Sequence, residues 1–488
     1  MTSVRISLLI SLAEKYSVTI INIVSTVIIA RLLTPLEIGV YSVGLAFVAI
    51  AHTLRDFGVG NYLIQEKELT EDRIRTAAGV TLLLAWSLAL ALALGSGPIA
   101  NIYNKPDMRS VLLILSLSFV IIPFSSPTLA LLRRNMAFKV LYQIRIVSAL
   151  VHASVAVCLS WQGYSFASLA WASLAGVSTT AVMAAFHRPG KLIIWPSFVE
   201  WRHVAAFGGK ASVDALITQI GMNSIDMIAG RMLGFTAVGI FSRAQGLISM
   251  FSREFTNAVL QVAFPAFANG HRAGLDLKEP FLRAVGTLTL FAWPFYAFLV
   301  LMAYPIIRIM FGDQWDAAVP LVQILALGGF ASALWSLCSQ ILLGMGKINE
   351  LLKTQFILQG LRIAMVFVTA HYSITHVAIG QGIFYVLTYF ILYRCVRPFV
   401  QISNIDVMRA TWKSMMATLI SAIAPALVIF YMPPGPENLW FPLLLGAAGT
   451  CVGWLAGIYI FKHSFGEEIT GAYRAALGKF GKPSSAPD

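Results

Sequence analysis

Apolar residues fill runs of 18 or more positions along the chain, separated by short clusters of Lys, Arg, Asp, Glu, Asn, Gly and Pro. About 20 apolar positions in a helix cross roughly 30 Å of hydrocarbon, so each run predicts a membrane-spanning helix. Fourteen runs qualify, at about 14–32, 36–57, 76–97, 109–131, 140–161, 164–186, 210–232, 237–262, 281–304, 318–343, 350–371, 375–396, 411–432 and 440–461. An even number places both termini on one side of the membrane. The largest connection, about 187–209, contains Trp195, Pro196 and Trp201 and predicts an interfacial segment. From Phe465 the pattern predicts a short amphipathic helix, with Ala475, Ala476, Leu477 and Phe480 beside Arg474 and Lys479, followed by a disordered end. The first run continues past Glu14-Lys15 without a small-residue cleavage site, so the first helix is expected to be retained.

Composition agrees: 58% of residues are apolar and 12% charged, against about 45–50% and about 25% in soluble domains. Mean hydropathy is +0.77. The charge balance is basic, with 35 Lys and Arg against 22 Asp and Glu, a net +13 that invites a nucleic-acid partner. The positions of the cations remove that reading. With the N-terminus inside, 26 fall in cytoplasmic segments, and five (Arg31, Lys105, Arg109, Arg231, Arg308) at the outer ends. Basic loops stay in the cytoplasm, so both termini are expected there, beside anionic membrane lipids. No basic patch with interleaved aromatics remains for nucleic acid. Cys158, Cys338, Cys395 and Cys451 have neither CxxC nor Cys/His spacing, and His52, His152 and His371 have no second ligand three or four residues away. Neither a disulfide framework nor a metal site is expected.

A shift of 200 residues aligns Ala30-Arg31-Leu32-Leu33 and Gly39-Val40-Tyr41-Ser42 with Gly230-Arg231-Met232-Leu233 and Gly239-Ile240-Phe241-Ser242. A weaker echo pairs Ile102-Tyr103 with Met310-Phe311. Spans 1 and 2 thus correspond to spans 7 and 8, a parallel repeat about an axis along the membrane normal. The expected lobes are residues 1–205 and 206–400, followed by two extra spans over 401–463 and a cytoplasmic tail at 464–488. In the first turn, Thr34 is placed to cap span 2, Pro35 fits its first position and Glu37 its third, the pattern of a capping box.

The residues Ala30-Arg-Leu-Leu-Thr-Pro-Leu-Glu-Ile-Gly-Val-Tyr-Ser42, Asp56-Phe-Gly-Val-Gly60, Asn223-Ser-Ile-Asp226, Gly230-Arg231, Val238-Gly-Ile-Phe-Ser-Arg-Ala-Gln245 and Phe264-Pro265 follow one another in an order and spacing that covers nearly the whole chain. In these the chain resembles the polysaccharide transporter family of the multidrug/oligosaccharidyl-lipid/polysaccharide (MOP) exporter superfamily, the Wzx-type flippases. The resemblance implies an all-α integral membrane fold of about 14 transmembrane helices, a MATE-like two-lobe bundle with parallel six-helix repeats around a central cavity. It also implies alternating access in the bacterial inner membrane. The cargo implied is an undecaprenyl-pyrophosphate-linked oligosaccharide repeat unit for exopolysaccharide, capsule or O-antigen (lipopolysaccharide) synthesis, with a polysaccharide polymerase and chain-length or export proteins as partners and no enzyme activity.

Charge inside the spans marks the candidate site, because an Arg or Asp at a helix centre costs roughly 2.5–3.5 kcal/mol on insertion scales. Arg243, Arg253, Arg362 and Arg55 are the cations within spans. On one continuous span 8, Arg243 and Arg253 would lie about 15 Å and about 80° apart, lining one wall. Guanidinium groups offer bidentate donors to phosphate, so Arg243, Arg253 and Arg362 are expected to hold the pyrophosphate, with Arg55, Arg31 and Arg231 as further candidates. Structural pairing of each arginine with a nearby carboxylate or with helix C-terminal carbonyls, or snorkelling of the end arginines, is the competing reading. Asp226, with Asn223 one turn and Asp214 three turns earlier, is the candidate for proton or Na⁺ coupling, against structural pairing with Arg231 or a span 8 arginine. No cofactor is expected. Glu14-Lys15 and Arg55-Asp56 read as helix-end pairs. Trp86, Trp161, Trp171, Trp293, Trp315 and Trp440 fit interfacial belts, and Pro123, Pro127, Pro294 and Pro425 predict kinks.

Three other functions compete, one of them a non-transporting scaffold that retains the fold. A cation-coupled multidrug or organic-cation exporter of the same superfamily predicts an acidic cavity, whereas arginines outnumber the mid-span carboxylates. An integral-membrane polysaccharide polymerase or glycosyltransferase predicts a large loop carrying DxD, HExxH, GxSxG or P-loop residues, and the loops contain none.

Overall fold

With almost no water-facing surface to build, the backbone satisfies its own N–H and C=O groups, and the computed structural model is helical throughout its described core. It describes residues 2–56, 59–66, 69–188, 197, 201–251, 255–463 and 465–466, without the side chains of residues 2–15, 61, 65, 201–211, 251, 257 and 258. The helices are α1 (Thr2–Leu32), α2 (Pro35–Asp56), α3 (Val59–Gln65), α4 (Glu71–Ile102), α5 (Asp107–Ile121), α6 (Ser126–Arg134), α7 (Phe138–Trp161), α8 (Ala167–Phe186) and α9 (Trp201–Met232). They continue with α10 (Phe235–Phe251), α11 (Asn257–Arg272), α12 (Lys278–Phe311), α13 (Val319–Trp335), α14 (Cys338–Gly344), α15 (Ile348–Thr369), α16 (Ile374–Val400), α17 (Asn404–Tyr431) and α18 (Trp440–Ile460).

Eleven segments among the described residues are long and apolar enough to cross a membrane. The other three of the fourteen expected spans are helical, each with residues or side chains outside the described set: their described parts are the apolar stretch Tyr16–Leu32, α9, which carries Asp214, Asp226 and Arg231, and the 17 residues of α10. Large apolar side chains face outward along the helices, with Leu94 71%, Phe430 77% and Tyr459 85% exposed. Water would not tolerate such a surface, and hydrocarbon does. The chain is a multi-pass membrane protein.

Contacts divide the chain into two compact units. The first comprises Met1–Ser242, Met310–Gln314 and Val366–Ile374; the second comprises Arg243–Ile309, Trp315–Met365 and Thr375–Asp488. In the first, α2, α4, α5 and the start of α10 surround a core of Val40, Val43, Met108, Val111, Phe119 and Phe235. α2 packs on α9, α1 on α7, and α7 on α8. In the second, Phe267, Phe281, Ile341, Leu392 and Val396 belong to one buried core, and α17 pairs with α18.

Local chemistry sets the breaks. Span 4 interrupts at a 3₁₀ turn over Ile122–Phe124, where Pro123 and Pro127 sit as expected. The kink expected at Pro294 lies elsewhere: α12 continues through Pro294 and turns non-helical at Met302 (φ −102°, ψ 18°), three residues before Pro305, whose ring displaces the preceding turn. Pro425 lies inside a continuous α17. Ser403 and Asp406 form a capping box that starts α17, and Lys278 reaches Asp406 at 2.8 Å, tying α12 to it. At the far end of α18, Ser414 donates to the Gly286 carbonyl (3.0 Å) and lies 3.3 Å from His463 Nε2, while the Phe465 N–H donates to His463 Nδ1 (3.2 Å). Burial, then the Lys413 charge, pushes the His463 pKa down, which suits a ring accepting at Nδ1. The expected interfacial segment falls mostly, and the amphipathic tail almost wholly, outside the described residues.

Candidate functional site

The 200-residue repeat is visible as backbone. Leu33 N–H donates to Ile29 O (2.9 Å) and Leu233 N–H to Ala229 O (2.8 Å); Ile38 N–H donates to Thr34 O (3.1 Å) and Val238 N–H to Gly234 O (3.4 Å). Arg31 and Arg231 each occupy the last turn of their helix, α1 and α9, and both side chains are exposed. The two helices that follow cross at their glycines. A Cβ on Gly39 would stand 1.8 Å from Phe235 O, and one on Gly239 would stand 1.9 Å from Pro35 O. The capping box is present: the Thr34 N–H and hydroxyl both donate to Glu37 Oε2, at 2.7 and 2.8 Å.

Further along the first unit, Tyr103 donates to Met227 O (2.8 Å) and lies within electrostatic reach of Asp226 and Arg231. Asp226 makes no hydrogen bond or ion pair among the described residues, and Asn223 donates to its own helix at Gln219 O (2.8 Å). Asp214 Oδ1 is buried without a hydrogen-bond partner. Arg55 pairs with its neighbour Asp56, its Nε 3.0 Å from Oδ1. Both line a cavity of about 310 Å³ with Arg133, Thr81, Ser125 and Ser126, so Arg55 belongs to a polar, cationic recess. The side chains of Glu14 and Lys15 lie outside the described residues.

In the second unit, Arg243 lies over the Trp315 ring, 5.6 Å from its centroid. Trp315 is fully buried, so it does not sit in the interfacial belt expected for it. Arg253 lies outside the described residues, so the spacing expected between it and Arg243 is not described. Arg362 is half-buried on α15, with its guanidinium over Phe384 at 4.7 Å and its Nε donating to Gln381 Oε1 at 3.4 Å. Gln359 bonds Gln355 at 3.1 Å one turn earlier, so Gln355, Gln359 and Arg362 make a polar row on α15. Gln381 Nε2 and Gln359 Oε1 are buried without partners, and no carboxylate pairs with Arg362 among the described residues. Among the described residues, an aromatic face and a glutamine are the partners of Arg362.

The glutamines of this row were not anticipated, since a lone Gln in an apolar run carries no spacing signal. Nor were the two histidines: His52 and His152, solitary in sequence, line one cavity of about 340 Å³ in the first unit.

A family model described as polysaccharide biosynthesis protein matches residues 28–320. The chain is 23% identical over 67% of its length, and 67% of the relative's, to the lipopolysaccharide biosynthesis protein WzxC of Escherichia coli (strain K12). It is 26% identical to the teichuronic acid biosynthesis protein TuaB of Bacillus subtilis (strain 168), over 68% of this chain and 69% of that one. Among solved structures, the lipid II flippase MurJ in an inward closed conformation matches with a TM-score of 0.75 at 13% identity, covering 94% of this chain and 99% of that one. An inward-facing MATE-family multidrug transporter of the MOP superfamily matches with a TM-score of 0.66 at 14% identity, over 79% and 94%. The fold is therefore that of the MATE and MurJ transporters. The chain belongs to the polysaccharide biosynthesis protein family, as a polysaccharide transporter of the MOP superfamily.

Proposed function

We propose that this chain is a flippase, not an enzyme, that carries undecaprenyl-pyrophosphate-linked oligosaccharide units from the cytoplasmic to the periplasmic leaflet of the bacterial inner membrane, with both termini cytoplasmic. The observation that carries the reading is Arg362, a cation in mid-helix held by an aromatic face and a glutamine, with no carboxylate paired to it among the described residues. A guanidinium costs several kcal/mol to place in hydrocarbon, and an anionic ligand offsets that cost when it arrives. The diphosphate of a lipid-linked sugar has the charge and acceptor geometry to do so. Arg243, whose face is covered by Trp315, is the second cation of the set, and Arg253 completes it. Relatives named for lipopolysaccharide, teichuronic acid and succinoglycan biosynthesis support a polymer precursor as cargo. A polymerase and export proteins are the partners that would take up the flipped unit.

The test is complementation of a strain lacking its own flippase. Arg362→Ala is expected to cut surface polymer at least about tenfold at equal protein level, and Arg362→Lys to restore part of it, since charge returns without the planar fork. The triple variant Arg243→Ala/Arg253→Ala/Arg362→Ala exporting at the wild-type level overturns the assignment.

A further inference from the structure

His52 on α2 and His152 on α7 stand 100 residues apart in sequence and face one cavity of about 340 Å³, walled by α2, α5, α7 and α8. The rest of its polar lining is hydroxyl: Ser118, Ser148, Ser173 and Thr180. Two of these are fixed by neighbours. Ser173 Oγ lies 2.8 Å from the Tyr41 hydroxyl, and Thr180 Oγ1 lies 2.8 Å from Ser148 Oγ. Both histidines line the cavity, and neither makes a hydrogen bond among the described residues. Gly176 allows the approach, since a Cβ there would stand 3.3 Å from His152 Cβ.

The donor set selects the ligand. A transition metal needs three or four side-chain ligands, and no group of three His, Cys, Asp or Glu occurs among the described residues. Sodium needs a shell of oxygens and gains nothing from imidazole. A proton needs one basic nitrogen, a route of hydroxyls or waters, and somewhere for the charge to rest. Imidazole is the basic group, the serines and threonine are the route, and the cavity has room for several waters. His52 stacks on Phe119 at 4.5 Å with 28° between the planes, an arrangement that attracts an imidazolium. Arg55 and Asp56 follow His52 by three and four residues on α2. On the packed elements, α4 carries Glu71, Asp72, Arg73 and Arg75 in its first turns, α5 Asp107 and Arg109, α6 Arg133 and Arg134, α7 Lys139 and Arg145, α9 Arg202, Lys210, Asp214, Asp226 and Arg231, and α1, among its described side chains, only Arg31; α8 has none. None of these lines the cavity.

We propose that His52 and His152 form a shared proton-binding site inside the first unit, through which a proton gradient acts on transport. The inference rests on the transport reading above and names its coupling ion. Protonation adds one or two charges between α2 and α7. α2 also carries Arg55 three residues on and crosses α10 at Gly39, so a change of charge at His52 acts on a helix that the repeat holds at its other end.

Two measurements on the full chain decide it. In nanodiscs, the histidine ring signals are followed by NMR from about pH 4 to about pH 8.5, with His52→Gln and His152→Gln identifying the pair. Both rings are expected to titrate, and removing either should raise the midpoint of the other by about half a pH unit or more, because a neighbouring cation has gone. Rings that stay silent, or titrate without affecting each other, overturn the site. In liposomes, flipping of a fluorescent polyprenyl-diphosphate disaccharide is measured with and without an imposed proton gradient. The wild type is expected to flip several-fold faster with the gradient, and the His52→Gln/His152→Gln variant to show a ratio near one. An undiminished ratio in that variant overturns the proposal. A wild type that flips nothing in either condition counts against the transport reading instead, and the titration then decides the proton site by itself.

Discussion

The two turns of the 200-residue repeat share a backbone and differ in chemistry. Leu33-Thr34-Pro35 and Leu233-Gly234-Phe235 join their helices with the same pair of hydrogen bonds, and the helices that follow meet at Gly39 and Gly239. The first turn closes with side chains, through the Thr34–Glu37 capping box. The second has alanine at 237 and closes with backbone, through Gly234 in the left-handed region at φ +87°. What the fold keeps in duplicate is the close approach of two backbones. How the helix ends are satisfied is left to whichever residues stand there. The reciprocal glycines are thus the strictest requirement of the repeat, and the caps a replaceable one.

The strongest way to break that comparison is to add a single carbon at the crossing. Because the obstacles at 1.8 and 1.9 Å are carbonyl oxygens of the opposite helix, no side chain can rotate away. Gly39→Ala and Gly239→Ala are each expected to cost more than about 3 kcal/mol, seen as loss of extractable, monodisperse protein. Gly246→Ala is the control: nothing lies within 4 Å of its Cβ position, and an interior helical glycine replaced by alanine gains roughly 0.5–1 kcal/mol. Tolerance of alanine at one crossing glycine but not the other would show that the contact is not reciprocal.

The caps give a smaller and more discriminating effect. Thr34→Ala removes the side-chain acceptor and should lower stability by about 1 kcal/mol, with Thr34→Ser restoring it. Gly234→Ala should cost about 1–2 kcal/mol for a different reason, backbone strain in otherwise open space, and Gly234→Asn should recover much of it because asparagine tolerates positive φ. Thermal unfolding in detergent separates the two cases. Rescue by serine and by asparagine at the opposite positions would contradict the distinction.

Much of this was legible in the chain because the signals are local. Runs of apolar residues mark the helices, Thr34 and Glu37 are three residues apart, and Arg31 and Gly39 recur at a fixed offset. What was not legible depends on neighbours distant in sequence. The Trp315 indole reads as a belt residue until Arg243 is found over it. Arg362 acquires Gln381 only when the next helix folds back, and His52 finds His152 only across α5 and α8. Pro305 was overlooked beside Pro294, since a ring alone does not reveal which preceding turn will yield.

The finest separation between the two turns lies at Glu37, which has no charged counterpart at residue 237. Its carboxylate accepts from the Thr34 N–H at 2.7 Å and from the Thr34 hydroxyl at 2.8 Å, and it also places a negative charge at the start of α2, where the helix dipole is positive. Glu37→Gln keeps an amide oxygen able to accept the same two hydrogen bonds and removes only the charge. The expected loss is therefore about 0.5 kcal/mol, well below that of Thr34→Ala, and it should shrink as salt is raised. Glu37→Ala removes both contributions and should approach the Thr34→Ala cost. If the glutamine variant matched the alanine variant, the charge and not the hydrogen bonds would dominate the first cap. The two turns would then differ in electrostatics more than in how they close.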